Sequence, residues 1–101
     1  MPADLRSFAE IDRLIHEPAR LALTAILSVV ESADFLYLQR ETGLTKGNLS
    51  SHLAKLEEAG YVAIEKTYRG RIPLTLVRLT AAGAAAYKAY RARFKKFLEK
   101  T

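Results

Sequence analysis

The spacing of the apolar residues changes period twice along the chain. It runs from helical to strand-like near Gly60, and back to helical near Thr80. Ile11, Leu14 and Ile15 stand at i, i+3 and i+4, which predicts a short first helix broken by His16-Glu17-Pro18. Pro18 suits the first turn of the next helix, because its missing N–H would have had no partner there. That helix is predicted from Pro18 to about Glu31. Leu23, Ile26, Leu27 and Val30 form its stripe, and Leu21, Ala22 and Val29 widen it, so it reads as a central helix touched on several sides. Ser32-Ala33-Asp34 reads as a turn. Asp34 is a good N-cap for a short helix over Phe35–Thr42, which Gly43 ends. Thr45 offers its hydroxyl as the cap of a helix over Lys46–Ala59. There Leu49, Leu53 and Leu56 make a narrow buried stripe, and Gly60 is the terminator.

From Tyr61 to Tyr68 the residues are β-branched and aromatic, with Val62 and Ile64 on one face of a predicted strand. Arg69-Gly70 reads as a turn, and Ile72–Leu79 returns with Thr75, Val77 and Leu79 on one face. Pro73 cannot donate to a ladder, so this stretch should lie at a sheet edge or enter pairing late. Thr80 caps a last helix from Ala81 to about Leu98. Tyr87, Tyr90, Phe94 and Phe97 fall at steps of three and four along it, and lysines and arginines fill much of the rest. The fold class is therefore α+β and mainly helical. It has a hairpin of two strands, or three with a further partner, and a long C-terminal helix.

With 101 residues, half of them hydrophobic, the chain suits one domain over 1–101. A domain this small is often marginal by itself, so self-association would help. There is no cysteine, hence no disulfide framework and no thiolate metal site. The opening MPADLRSFAEIDR is acidic and amphipathic and lacks a signal-peptide core, and no run of apolar residues is long enough to span a membrane. The expectation is a cytoplasmic, nucleoid-associated protein. Charge is asymmetric. Residues 1–34 hold 3 basic and 6 acidic side chains, a balance of −3, and residues 35–101 hold 13 basic and 5 acidic, a balance of +8. Such a segment points to a polyanion, or else to a face kept basic for solubility.

A short helix, a tight glycine turn, a second helix and a basic β-hairpin form the layout of a winged helix-turn-helix. The major groove of B-DNA, roughly 12 Å wide, admits one α-helix. With Leu49, Leu53 and Leu56 turned inward, the outward arc of 46–59 holds Gly47, Asn48, Ser51, Ala54, Lys55 and Glu58. Its N-terminal part, Lys46, Gly47, Asn48, Ser50 and Ser51, is small or polar. Asn pairs with adenine and Lys reaches guanine or phosphate. Thr45 and Ser50 suit phosphate oxygens, as does the helix N-terminus. Glu57 and Glu58 come late, where the helix should leave the groove. The hairpin tip holds Lys66, Arg69 and Arg71 beside Gly70, suited to flanking phosphates or a minor groove. The alternative is a charged turn that blocks edge-to-edge aggregation.

LTKGNLSSHLAKLEEAGYVAIEK resembles the recognition helix and first wing strand of MarR- and ArsR-like winged-helix transcriptional regulators. RIPLTLVRLTAAG resembles their second wing strand and the start of their C-terminal helix, and HEPARLALTAIL resembles the helix before their helix-turn-helix. The resemblance covers roughly residues 11–87. It implies a prokaryotic homodimer on pseudo-palindromic operator DNA. Base contacts would come from Lys46, Gly47, Asn48 and Ser51, and backbone contacts from Thr45, Ser50, Lys55 and the wing arginines. It also implies dimerisation through terminal helices, about 5–16 and 81–98. Typical ArsR-like metal sensors use cysteine ligands, which this chain lacks, and MarR-like proteins are usually longer, with helices framing an effector pocket. No effector is indicated.

Other chemistry finds little support. His52 follows Ser51, but adjacent helix positions diverge by about 100° and no acid is placed to orient the ring. A surface or DNA-flanking role fits it better. His16 and His52 make a poor metal pair, and His16 fits a helix-breaking or capping role. No phosphate loop, paired-carboxylate motif or nucleophile elbow is present. The expectation is a non-enzyme without metal or cofactor. The stripe Tyr87, Tyr90, Phe94 and Phe97 is either intramolecular core or a dimer interface with Ile11, Leu14 and Ile15 as co-packers. Residues 90–98 reach beyond what a compact wing domain needs, which favours the interface. Two function classes follow: a sequence-specific regulator binding double-stranded DNA, and a winged helix that contacts protein without DNA specificity of its own. Polar Lys46, Gly47, Asn48, Ser51 and Lys55 favour the first, since a protein-contact surface should carry apolar anchors.

Overall fold

The computed structural model describes residues 11–100. The order of elements is α1 (Pro18–Leu27), β1 (Ala33–Asp34), α2 (Phe35–Thr42), α3 (Lys46–Glu58), β2 (Val62–Arg69), β3 (Ile72–Leu79) and α4 (Ala81–Glu99). The three strands form one antiparallel sheet in the order β1-β3-β2. The α+β class holds: among the described residues there are four helices and a three-stranded sheet that forms the wing.

The caps work as read. Asp34 Oδ1 accepts the Leu36 N–H, Thr45 Oγ1 that of Asn48 and Thr80 Oγ1 that of Gly83, at 2.9, 3.1 and 3.0 Å. Gly43 ends α2 at φ +71°, the left-handed conformation that glycine adopts without a Cβ penalty. One core joins the layers. Leu23 and Leu27 of α1, Leu38 of α2, Leu49, Leu53 and Leu56 of α3, and Val62 and Val77 of the sheet are all buried. The register sets Val62 against Leu79 and Ile64 against Val77, so the strands share the inward face that the alternation predicts.

Four expectations change. Helix α1 stops at Leu27, not Glu31: Ser28 caps it, and Val29 and Val30 are exposed, so they extend no stripe. Ala33-Asp34 is a strand, paired with Val77 and Leu76, rather than a turn. Within the described residues, Ile11–Ile15 form turns and not a helix. Asp12 Oδ1 accepts the N–H groups of both Leu14 and Ile15, at 2.9 and 3.2 Å, and a single turn gives the same i, i+3, i+4 spacing. The rest of the predicted terminal helix, 5–10, lies outside the described residues. Finally, β3 is the middle strand, yet β1 reaches only Leu76 and Val77. Pro73 therefore faces β2 alone and its missing donor leaves no gap in a second ladder.

Candidate nucleic-acid interface

The second helix of the helix-turn-helix is held from one side only. Leu49, Leu53 and Leu56 are 0, 2 and 0 % exposed, while Lys46, Gly47, Asn48, Ser50, Ser51, Ala54 and Lys55 are exposed. Gly47 has no heavy atom within 4 Å of where a Cβ would stand. Thr45 Oγ1 accepts from Asn48, and a hydroxyl that accepts still has its proton to donate to a phosphate.

The wing lies beside this helix. A groove of about 360 Å³ between α3 and the sheet is lined by Lys46, Ser50, Ala54 and Glu57 on one side and Lys66 and Thr75 on the other. Glu57 thus lines the groove. A neighbouring cleft of about 440 Å³ brings Lys46 together with Arg69, Leu36, Gln39 and Ile72. Lys46, Ser50, Lys66 and Arg69 therefore share one surface, with Lys46 common to both hollows. Thr45, Gly47, Asn48, Ser51 and Lys55 are exposed but line neither. The wing turns at Gly70, φ +62°, and Arg69 and Arg71 are exposed on either side of it.

A family profile described as "Winged helix DNA-binding domain" matches residues 19–98. The chain belongs to the winged helix DNA-binding domain family. It is 37% identical over 79 residues to an uncharacterized protein of Methanocaldococcus jannaschii, covering 77% of this chain and 85% of that one. It is 36% identical over 78 residues to the uncharacterized HTH-type transcriptional regulator YcgE of Bacillus subtilis, covering 68% of this chain and 51%, about half, of that protein. Among solved structures it resembles a transcriptional regulator homologue from Pyrococcus horikoshii OT3, with TM-score 0.88, 30% identity and coverage of 93% and 95%. It also resembles a transcriptional regulator of the MarR family from Enterococcus faecalis V583, with TM-score 0.73, 25% identity and coverage of 87% and 82%. The fold is that of MarR-type transcriptional regulators.

In this winged helix, polar tethers that the sequence did not announce tie α3 and the residues just after it to α1 and the segment before it. The Arg20 guanidinium donates from Nε to the Leu14 carbonyl at 2.6 Å and from Nη1 to His52 Nδ1 at 3.1 Å. Guanidinium has no acceptor, so Nδ1 must accept, and the ring proton sits on Nε2. Glu17 Oε1 caps α1 through the Arg20 N–H at 2.8 Å and lies 3.9 Å from His52 Nδ1. His52 is thus half-buried and tied to α1, not a surface histidine. At the far end of α3, the Tyr61 hydroxyl donates to Asp12 Oδ2 at 2.6 Å. That bond to a carboxylate, with burial and the Asp12 charge, pushes the Tyr61 phenol up to about 12. No periodic signal marks these contacts, since the partners stand 32 and 49 residues apart.

The terminal residues build a second apolar cluster. Ile11, Ile15 and Tyr90 are 5, 0 and 4 % exposed, and Leu21, Tyr61, Tyr87 and Phe94 pack around them. Tyr90 is therefore interior to one chain, and Leu14 packs on the main core instead. The Tyr90 and Phe94 rings stack at 5.8 Å, and Phe97 follows at 6.5 Å from Phe94. His16 Nδ1 lies 2.8 Å from the Tyr90 hydroxyl, a contact the expected helix-breaking or capping role did not include. Tyr87, Phe94 and Phe97 are half-buried, and Leu98 is exposed. Among the described residues, no group of three or more His, Cys, Asp or Glu could hold a metal, and no helix is long and apolar enough to cross a membrane.

Proposed function

We propose that the chain is a sequence-specific transcriptional regulator that binds double-stranded, pseudo-palindromic operator DNA as a homodimer. Helix α3 enters the major groove, with Lys46, Gly47, Asn48 and Ser51 at base edges and Thr45, Ser50 and Lys55 on the backbone. Lys66, Arg69 and Arg71 of the wing lie on flanking phosphates or in the minor groove. The N-terminal segment, about 5–16, and α4 join the protomers, with Tyr87, Phe94 and Phe97 on the shared face and Ile11, Leu14, Ile15 and Tyr90 behind them. The protein acts in the cytoplasm, on the nucleoid, by binding rather than by catalysis.

One observation carries this reading. A helix buried by three leucines presents an opposite face of lysine, glycine, asparagine and serine, without a large apolar side chain, beside a basic hairpin. A protein-binding surface would carry aromatic or aliphatic anchors there. The deep, narrow major groove of A-form RNA would not admit the helix. Relatives described as transcriptional regulators support the same conclusion.

Selection from a random duplex pool tests it. The expected consensus has two-fold symmetry, with half-sites about 10 base pairs apart or a multiple of that. Recovery of no preferred sequence would overturn specificity, and an asymmetric consensus would overturn the symmetric dimer.

A further inference from the structure

The tip of the wing carries more than charge. Tyr68 and Ile72 flank Arg69-Gly70-Arg71 and are 69% and 67% exposed, although both are large and apolar. The register pairs Tyr68 with Pro73 and Arg69 with Ile72. Side chains alternate across a strand, so Tyr68 and Pro73 share one face of the tip and Arg69 and Ile72 the other. Each face holds an apolar side chain in water. A tip that only had to stay soluble is already served by Lys66, Arg69 and Arg71. Holding two large apolar groups in water forgoes the burial free energy that a partner would return.

The surroundings select that partner. From Lys66 to Leu98 the chain contains nine basic residues and no acidic one, so a polyanion is the complement. Arg69 and Ile72 line the same cleft as Lys46 of α3, so whatever meets α3 also passes the tip. A polyanion whose phosphates rim a slot with apolar sugar walls is the minor groove of duplex DNA.

We propose that Tyr68 and Ile72 are wedge residues. They enter the minor groove beside the α3 site and press on its deoxyribose walls, while Arg69 and Arg71 hold the rim phosphates. The proposal deepens the DNA-binding reading above and rests on it. The groove is about 6 Å wide, narrower than a hairpin with side chains on both faces. Entry therefore widens the groove and bends the duplex toward the major groove. The wing then contributes a salt-independent part of the affinity and a preference for deformable flanking steps.

The test uses the full chain and a short duplex bearing the selected sequence, labelled at its ends with donor and acceptor dyes. Wild type is compared with Tyr68→Ser plus Ile72→Thr, with Tyr68→Phe, and with Arg69→Gln plus Arg71→Gln. The doubly polar variant should bind roughly tenfold or more weakly at every salt concentration, because its tip buries less apolar surface. Its salt slope should be unchanged and its duplex straighter. Tyr68→Phe, which keeps the ring, should keep both affinity and bend. The arginine variant should lower the salt slope by about one for each phosphate it no longer holds. Both apolar positions are more than two-thirds exposed, so thermal melts should coincide with wild type. Wild-type affinity and bend in the doubly polar variant, with the selected duplex still bound, would overturn the wedge alone. So would a loss of affinity that disappears at high salt, which would assign the effect to charge. If wild type binds no duplex, the DNA-binding reading falls, and the wedge with it.

Discussion

Substituting Gly83 by alanine sets helix propensity against packing, and the structure decides the sign. Within a helix, alanine is favoured over glycine by up to about 1 kcal/mol. Gly83, however, stands in the first turn of α4 where the helix touches the start of β2. A Cβ there would overlap the Tyr61 carbonyl oxygen and stand 2.8 Å from Leu79 Cδ1. The leucine tip can rotate, but the carbonyl is backbone. It accepts the Thr80 N–H at 2.9 Å, so it is held from the same helix that would push it away. Forced overpacking costs about 1–3 kcal/mol, and weakening that hydrogen bond about 1 kcal/mol more. Set against the propensity gain, Gly83→Ala should destabilise by about 2 kcal/mol, or roughly 10 °C in Tm for a chain of this size. Gly47→Ala is the control, because it is also helical and nothing lies within 4 Å of its Cβ position. It should raise stability by a few tenths to about 1 kcal/mol, yet weaken DNA binding by blocking close approach. Denaturant melts of the two variants measure the contrast. If Gly83→Ala is as stable as Gly47→Ala, the close approach of α4 to Tyr61 is not what the geometry says.

Three further outcomes follow from the same contacts. Tyr61→Phe should cost about 1–1.5 kcal/mol, at the foot of the range for a hydrogen bond to a charged group and below it where solvent screens the partly exposed site. The phenol is raised from 10 to about 12 in the fold. Its stabilisation is therefore full below pH 10 and is lost as pH rises towards 12, so urea melts should show a decline there that the variant lacks. Phe94→Ala plus Phe97→Ala should convert a dimer to monomer and lower stability together, as read by light scattering and melts; a wild-type monomer at micromolar concentration would refute the interface. Asn48→Ala should cost roughly 1–3 kcal/mol on the selected site and little on random duplex, and an equal weakening on both would deny Asn48 a role in reading sequence.

What was legible in the sequence was what is local. Asp34, Thr45 and Thr80 cap within three residues of their own position, and Gly43 ends a helix by its own φ, so α2, α3 and the start of α4 could be read directly. The wing strands were legible because two eight-residue runs alternate, and Leu49, Leu53 and Leu56 fixed which face of α3 is outward. The errors come where hydrophobicity is not a direction. Val29 and Val30 match a stripe by residue type, but α1 has run past the core by then. A two-residue β1 is too short to show any period, and its place is set by β3, more than forty residues later in the chain.

The candidate interface divides along the same line. The face of α3 is defined by what it leaves unburied, which a helical wheel reveals. The orientation of that face is set by two cross-links, Arg20 of α1 to His52 at the middle of α3 and Asp12 before α1 to Tyr61 just beyond its end. The two cross-links carry little sequence signal because each is a single polar pair between distant positions. They matter to function for the same reason. Tyr61 joins the end of α3 to Asp12 through its hydroxyl and to the start of α4 through its carbonyl, so one residue ties α3 to both terminal regions. A dimer built on those regions would hold its two reading helices at a fixed spacing only while these tethers are made. The half-site spacing of such a dimer would depend on the hydrogen bonds at Tyr61 and Arg20 as much as on the interface itself.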